Sequence, residues 1–75
     1  MMHYTILIHK AEEGGFWSEV PALPGCLSQG ETIDDTLERT KEAIESYLLA
    51  LKEEAVAAPI EESLFIGRVQ VEVSD

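Results

Sequence analysis

Two prolines and two glycines stand within ten positions of one another in the run PALPGCLSQGET, residues 21–32. No other part of the chain is so restricted. Pro21 and Pro24 have a fixed φ and no backbone N–H to give to a sheet ladder, so the run cannot be a central strand. Pro24 and Gly25 suit the two middle positions of a type II turn, the second of which needs positive φ. Alanine at Gly25 is then expected to cost more than alanine at Pro24. A short strand is expected near residues 26–29, ended by Gly30. Thr32 opens a helix: its hydroxyl can accept from a backbone N–H three residues on, where Asp35 supplies the acid of a capping box.

The elements on either side follow from periodicity. Residues 3–10, HYTILIHK, read as a strand with Tyr4, Ile6 and Ile8 on one face and Thr5, Leu7 and His9 on the other. AEEGG is a turn, and FWSEV returns with Phe16, Ser18 and Val20 alternating against Trp17 and Glu19. If Phe16 faces the helix, Trp17 and Glu19 lie on the opposite face of the sheet. In the helix, Ile33, Leu37, Ile44, Tyr47, Leu48, Leu51 and Ala55 make one apolar stripe, and Leu37→Ala or Ile44→Ala should each cost about 2–5 kcal/mol. Asp35, Glu38, Glu42, Glu45 and Glu53 point outward with Leu49. Asp35–Arg39 and Lys41–Glu45 are favourable four-residue pairs, while Glu38–Glu42 repels. Pro59 closes off the helix. In the tail, Val69, Val71 and Val73 alternate with Arg68, Gln70, Glu72 and Ser74, the pattern of a half-buried strand led in by residues 64–66 and bent at Gly67. The expected fold class is α+β: a three- to four-stranded, mostly antiparallel sheet, order β-β-β-α-β along the chain, covered on one face by one long helix.

Seventy-five residues make one domain, spanning 1–75, with a small core. Self-association is a usual remedy, and Leu7 and Trp17 on the second sheet face favour a homo-oligomer, a dimer first. The lone Cys26, the lack of a signal peptide and the lack of a long apolar run place the chain in the cytoplasm. Fifteen acids against five scattered bases give a formal charge of −10. That opposes direct nucleic-acid contact and favours encounter with a basic partner, although acidity also serves solubility alone.

Candidate chemistry is sparse. Two-metal nuclease chemistry needs clustered carboxylates, and the first strand carries none. His3 and His9 share a strand face but lie about 20 Å apart at ~3.3 Å per residue, so they cannot share an ion. Cys26 reads as a small buried hydrophobe. No catalytic residue, metal or cofactor is expected. The candidate partner-binding residues are Trp17 and Glu19 on the second sheet face, and Asp35, Glu38, Glu42 and Leu49 on the outward helix face. A sheet edge is an equally open alternative.

Tyr4 to Ile8 as first strand, Glu13-Gly14-Gly15-Phe16 at the hairpin, Glu19-Val20-Pro21, Leu23-Pro24-Gly25-Cys26, Gln29-Gly30-Glu31-Thr32, Asp35, Glu42-Ala43 and Tyr47-Leu48 occur in this order and spacing. In this the chain resembles the N-terminal domain of HicB-type antitoxins. The resemblance implies a partial ribonuclease-H-like fold and a partner, a small basic RNA-cleaving HicA-type toxin that the domain binds and blocks. Many such antitoxins carry a C-terminal DNA-binding domain. None follows the tail here, so the expectation is a stand-alone antitoxin-like module. The alternative is an orphan structural module of the same fold that self-associates and has no toxin partner.

Overall fold

The hairpin forms where its glycines allow a reversal. In a computed structural model describing residues 2–74, Gly14 and Gly15 both take positive φ between β1 (Leu7–Lys10) and β2 (Phe16–Glu19). The strands pair antiparallel, with Leu7 opposite Glu19 and His9 opposite Trp17. The second turn is the one its sequence demands. Cys26 N–H donates to Leu23 C=O at 3.0 Å across Pro24 and Gly25, and Gly25 has φ +82°. These are the marks of a type II turn. It sends the chain into β3 (Leu27–Gly30), antiparallel to β2, so the sheet order is β1-β2-β3.

Helix α1 (Ile33–Glu53) starts at the expected cap. Asp35 N–H donates to Thr32 Oγ1 at 3.0 Å, and Glu31 N–H donates back to Asp35 Oδ2 at 3.0 Å. The first bond satisfies a backbone donor that the helix start leaves free, and the second ties the residue before the cap to the same first turn. The helix ends at Glu53, before Pro59, where Ala55 turns left-handed at φ +58°. It packs chiefly over β3 and β2. Its start sits so close to the strand that a methyl group on Gly30 would lie 2.6 Å from Thr36 N. The fold class is therefore α+β as expected, a three-stranded antiparallel sheet with one long helix on one face.

Two expectations change. First, the helix buries a different stripe. Leu23, Val20 and Cys26 form the buried core, with Tyr4, Ile6, Ala43, Ile44, Tyr47 and Leu48 packed on it. Ahead of Ala43 the buried helix positions are Thr36 and Thr40, both fully enclosed, while Ile33 and Leu37 stay 51% and 41% exposed. Threonines are tolerated there because each hydroxyl is satisfied. Thr36 Oγ1 donates to Thr32 C=O at 2.7 Å and Thr40 Oγ1 to Thr36 C=O at 2.5 Å. Ser18, enclosed under the helix, then donates to Thr40 Oγ1 at 2.6 Å. Leu37→Ala should accordingly cost less than a core truncation. Ile44 keeps its place in the stripe.

Second, the last strand is not formed. Residues 54–74 carry no regular strand, and Val69, Val71 and Val73 are 87%, 73% and 86% exposed. The start of the tail is held. Tyr4 Oη donates to Pro59 C=O at 2.5 Å, and the Glu61 carboxylate accepts from Thr5 N–H and, at 2.8 Å, from Thr5 Oγ1. Residues 62–64 run beside Pro21 and Ala22, and from Phe65, 89% exposed, the chain stands in solvent. The radius of gyration is 15.3 Å, against about 11 Å for a compact chain of this length. Among the described residues, no helix is long and apolar enough to cross a membrane.

Candidate protein-binding surface

Ser18 fixes which way the sheet faces. Since its hydroxyl reaches Thr40, Phe16, Ser18 and Val20 look toward the helix, and Trp17 and Glu19 look away from it. On that outer face the His9 ring stacks on Trp17, with centroids 4.2 Å apart and planes 21° from parallel. His9 Nε2 lies 2.7 Å from Glu19 Oε2. The contact is an ion pair only when the imidazole is protonated, and both side chains are over a third exposed, so it adds little to stability. Its effect is to hold the imidazole, and with it the indole stacked on it, in one orientation on a partly exposed sheet face. An aromatic held in one orientation loses little entropy on contact with a partner.

The outer edge of β3 is open. Val20 N–H bonds to Cys26 C=O. By the alternation of an antiparallel ladder, Ser28 and Gly30 bond to β2 while the N–H and C=O of Leu27 and Gln29 point away from the sheet. A shallow depression follows this edge, with Trp17, Leu27 and Gln29 on one side and Arg39, Glu42 and Ser46 of the helix on the other. Leu27 is 60% exposed within it. Free backbone groups beside an exposed apolar side chain are what an added strand or a partner loop uses.

The six candidate residues divide. Trp17 and Glu42 share this depression. Glu19 lies one residue pair further along the sheet face, tied to His9. Glu38 and Leu49 stand exposed on the outward helix face and do not line the depression. Asp35 is occupied by the cap and by Arg39 Nε at 3.4 Å. The Glu31 N–H, with Arg39 assisting and a slight burial opposing, holds its carboxyl below the usual carboxylate range. Among the described residues Asp35–Arg39 is the helix ion pair that forms, leaving Glu38, Glu42 and Glu45 without a cationic partner. Leu27, Gln29 and Arg39 join the surface without having been singled out. Period-2 alternation could have found Leu27, which lies opposite Glu19 in the β3 register.

The two other groups weighed for chemistry are placed plainly. Cys26 is buried, and burial pushes its thiol up from the ordinary range, the opposite of an activated nucleophile. Among the described residues, no three His, Cys, Asp or Glu side chains converge to hold a metal ion.

Comparison with known proteins agrees with this architecture. Residues 4–73 match the family model described as HicB_like antitoxin of bacterial toxin-antitoxin system. A UPF0150 protein of Archaeoglobus fulgidus is 43% identical over 72 residues, covering 96% of each chain. The UPF0150 protein ssr1258 of Synechocystis is 39% identical, covering 93% of each. The crystal structure of the N-terminal domain of Burkholderia pseudomallei antitoxin HicB superposes with a TM-score of 0.64 at 33% identity. That match covers 88% of this chain and 72% of the other.

Proposed function

Because the chain belongs to the HicB-like antitoxins of bacterial toxin–antitoxin systems, we propose that it neutralises a small basic RNA-cleaving toxin of the HicA type by binding it and covering its active surface. The observation that carries this is the family match over nearly the whole chain, joined to a surface suited to protein contact. The role is binding, without catalysis, in the cytoplasm and without direct contact to nucleic acid. Trp17 and Leu27 supply the apolar contact of the interface, and the open β3 edge supplies backbone groups for it. Glu42, with Glu38 and Glu19 nearby on the two flanks, supplies charge for encounter. Asp35 and Leu49 stand outside this contact. In this reading the charge sets how fast the partners meet and the apolar contact sets how long they stay.

The protein also acts as a homodimer in this reading. Its core is small, and large apolar side chains remain in water along the tail and one helix flank.

The direct test mixes the purified protein with the short basic protein encoded beside it and follows cleavage of a generic RNA. Stoichiometric loss of cleavage is expected. Trp17→Ala should weaken inhibition by more than about tenfold, the scale of an interface anchor. Unimpaired cleavage at a large excess of antitoxin would sink the proposal.

A further inference from the structure

We propose that residues 68–74 are an exchange arm: the alternating segment of one copy adds as a fourth strand to the open edge of β1 in a second copy, with its valines on the helix side of that copy's sheet. This deepens the self-association proposed above and rests on it.

The arm is a strand without a ladder. Val69, Val71 and Val73 fall on one side of an extended segment and Arg68, Gln70, Glu72 and Ser74 on the other, yet all of these residues stand in solvent. A period of two has no use in an unpaired chain, since strands gain stability only through cross-strand neighbours and one covered face.

The slot it fits is the outer edge of β1. His9 and Leu7 pair with Trp17 and Glu19, and Ala11 N–H bonds to Gly15 C=O, so the alternation turns the N–H and C=O of Ile8 and Lys10 outward. The helix packs over β3 and β2 and leaves apolar groups half exposed on its flank toward β1. Arg39 and Ser46 mark the helix flank beside β3. Ile33 and Leu37 lie on the other side of the buried stripe, toward β1, and both are exposed. A strand placed beside β1 would put its valines next to Ile8, on the side of the sheet that carries the helix. The polar residues of the arm would then face outward with His9.

The chain's own arm is directed elsewhere. Its base is fixed by the bonds from Tyr4 to Pro59 and from Thr5 to Glu61. The next residues run against Pro21 and Ala22. Those two follow β2, so they lie across β1 from its open edge. The tail thus departs on the wrong side of β1 for its own slot. A two-fold pair of copies satisfies both slots at once, because each arm meets the other's edge through the same contact.

The area is sufficient. Fully burying an apolar side chain removes roughly 60–120 Å² at the usual transfer coefficient. The three valines of two arms, with the surface they cover, give about 700–1,400 Å², reaching the lower part of the range of stable interfaces.

Light scattering on the full chain tests this. The parent should show about twice the 8.3 kDa chain mass. Val69→Asp/Val71→Asp should halve it while helical circular dichroism stays unchanged, since both positions are exposed in the single copy. Leu37→Glu should do the same from the other side of the contact. In a mixture of differently isotope-labelled copies, nuclear Overhauser effects from the valine methyls to Leu37 and Ile8 should run between copies. A variant that stays dimeric, or valine contacts found only within one copy, would overturn the arm and leave self-association standing. A parent that is monomeric at every concentration would overturn both.

Discussion

At the scale of single residues, the helix is seated on the sheet by polar atoms and a missing side chain. Ser18, Thr40 and Thr36 make a buried relay in which Ser18 donates to Thr40, and Thr40 to the Thr36 carbonyl. Thr40→Val keeps the shape but strands the Ser18 hydroxyl in an enclosed site. The expected cost is about 1–3 kcal/mol, the penalty for a buried group without a partner. Adding Ser18→Ala should recover part of it, so a double-mutant cycle by urea unfolding should give a coupling energy well away from zero. Gly30 is the second such point. Its conformation is one any residue can adopt, but a methyl group there would meet Thr36 N and Oγ1 and Asp35 Oδ2 within 2.8 Å. Gly30→Ala should therefore cost about 1–3 kcal/mol as overpacking against backbone that cannot yield. Gly25→Ala has open space around it and is strained only by its positive φ. If the two variants melt alike, the tight seat of the helix on β3 is wrong.

At the scale of elements, local chemistry was legible and tertiary phase was not. The Pro24–Gly25 turn and the Thr32 cap are set by residues a few positions apart, and both form as their chemistry requires. The helix is different. Counting only apolar residues centres its stripe on Ile33, Leu37 and Ile44, whereas the covered stripe runs through the enclosed Thr36 and Thr40 to the half-buried Ile44. A threonine that returns its hydroxyl to the preceding turn can be buried cheaply, and no hydropathy pattern reports that. The same gap explains the surface. Alternation put Trp17 and Glu19 on the outer face, but only the lie of the helix across β3 brings Glu42 to Trp17. The helix start gives an element-scale prediction. Asp35 has its carboxyl held low chiefly by the Glu31 N–H. A group depressed in the folded state adds stability above its ordinary value near ~4, and that stability is lost as pH falls through the depressed one. Asp35→Asn keeps an acceptor but cannot titrate. Between pH 5 and pH 2, the parent should lose stability relative to Asp35→Asn in parallel urea titrations. Parallel pH profiles would mean the carboxylate contributes nothing to the cap.

At the scale of the whole molecule, the dominant quantity is charge. Ten net negative charges sit on a body about 28 by 20 Å across, with a tail that extends its long axis to 55 Å. Among the described residues most of the acids stand without a cation beside them, so they do little for the fold and much for the field around it. A field of this sign repels nucleic acid and draws in a basic protein over distances comparable to the Debye length, about 30 Å at 0.01 M salt and ~10 Å at 0.1 M. Raising salt across that range should slow association with the proposed basic toxin by about tenfold or more in stopped-flow mixing. Dissociation should change far less, because the apolar contact at Trp17 and Leu27 is not screened by salt. Glu38→Lys/Glu45→Lys moves charge on the outward helix face without touching the β3 edge. It should lower the association rate and flatten its salt dependence, leaving dissociation near that of the parent. An association rate indifferent to salt would remove electrostatic steering from the mechanism and leave the apolar edge of β3 to account for both encounter and residence.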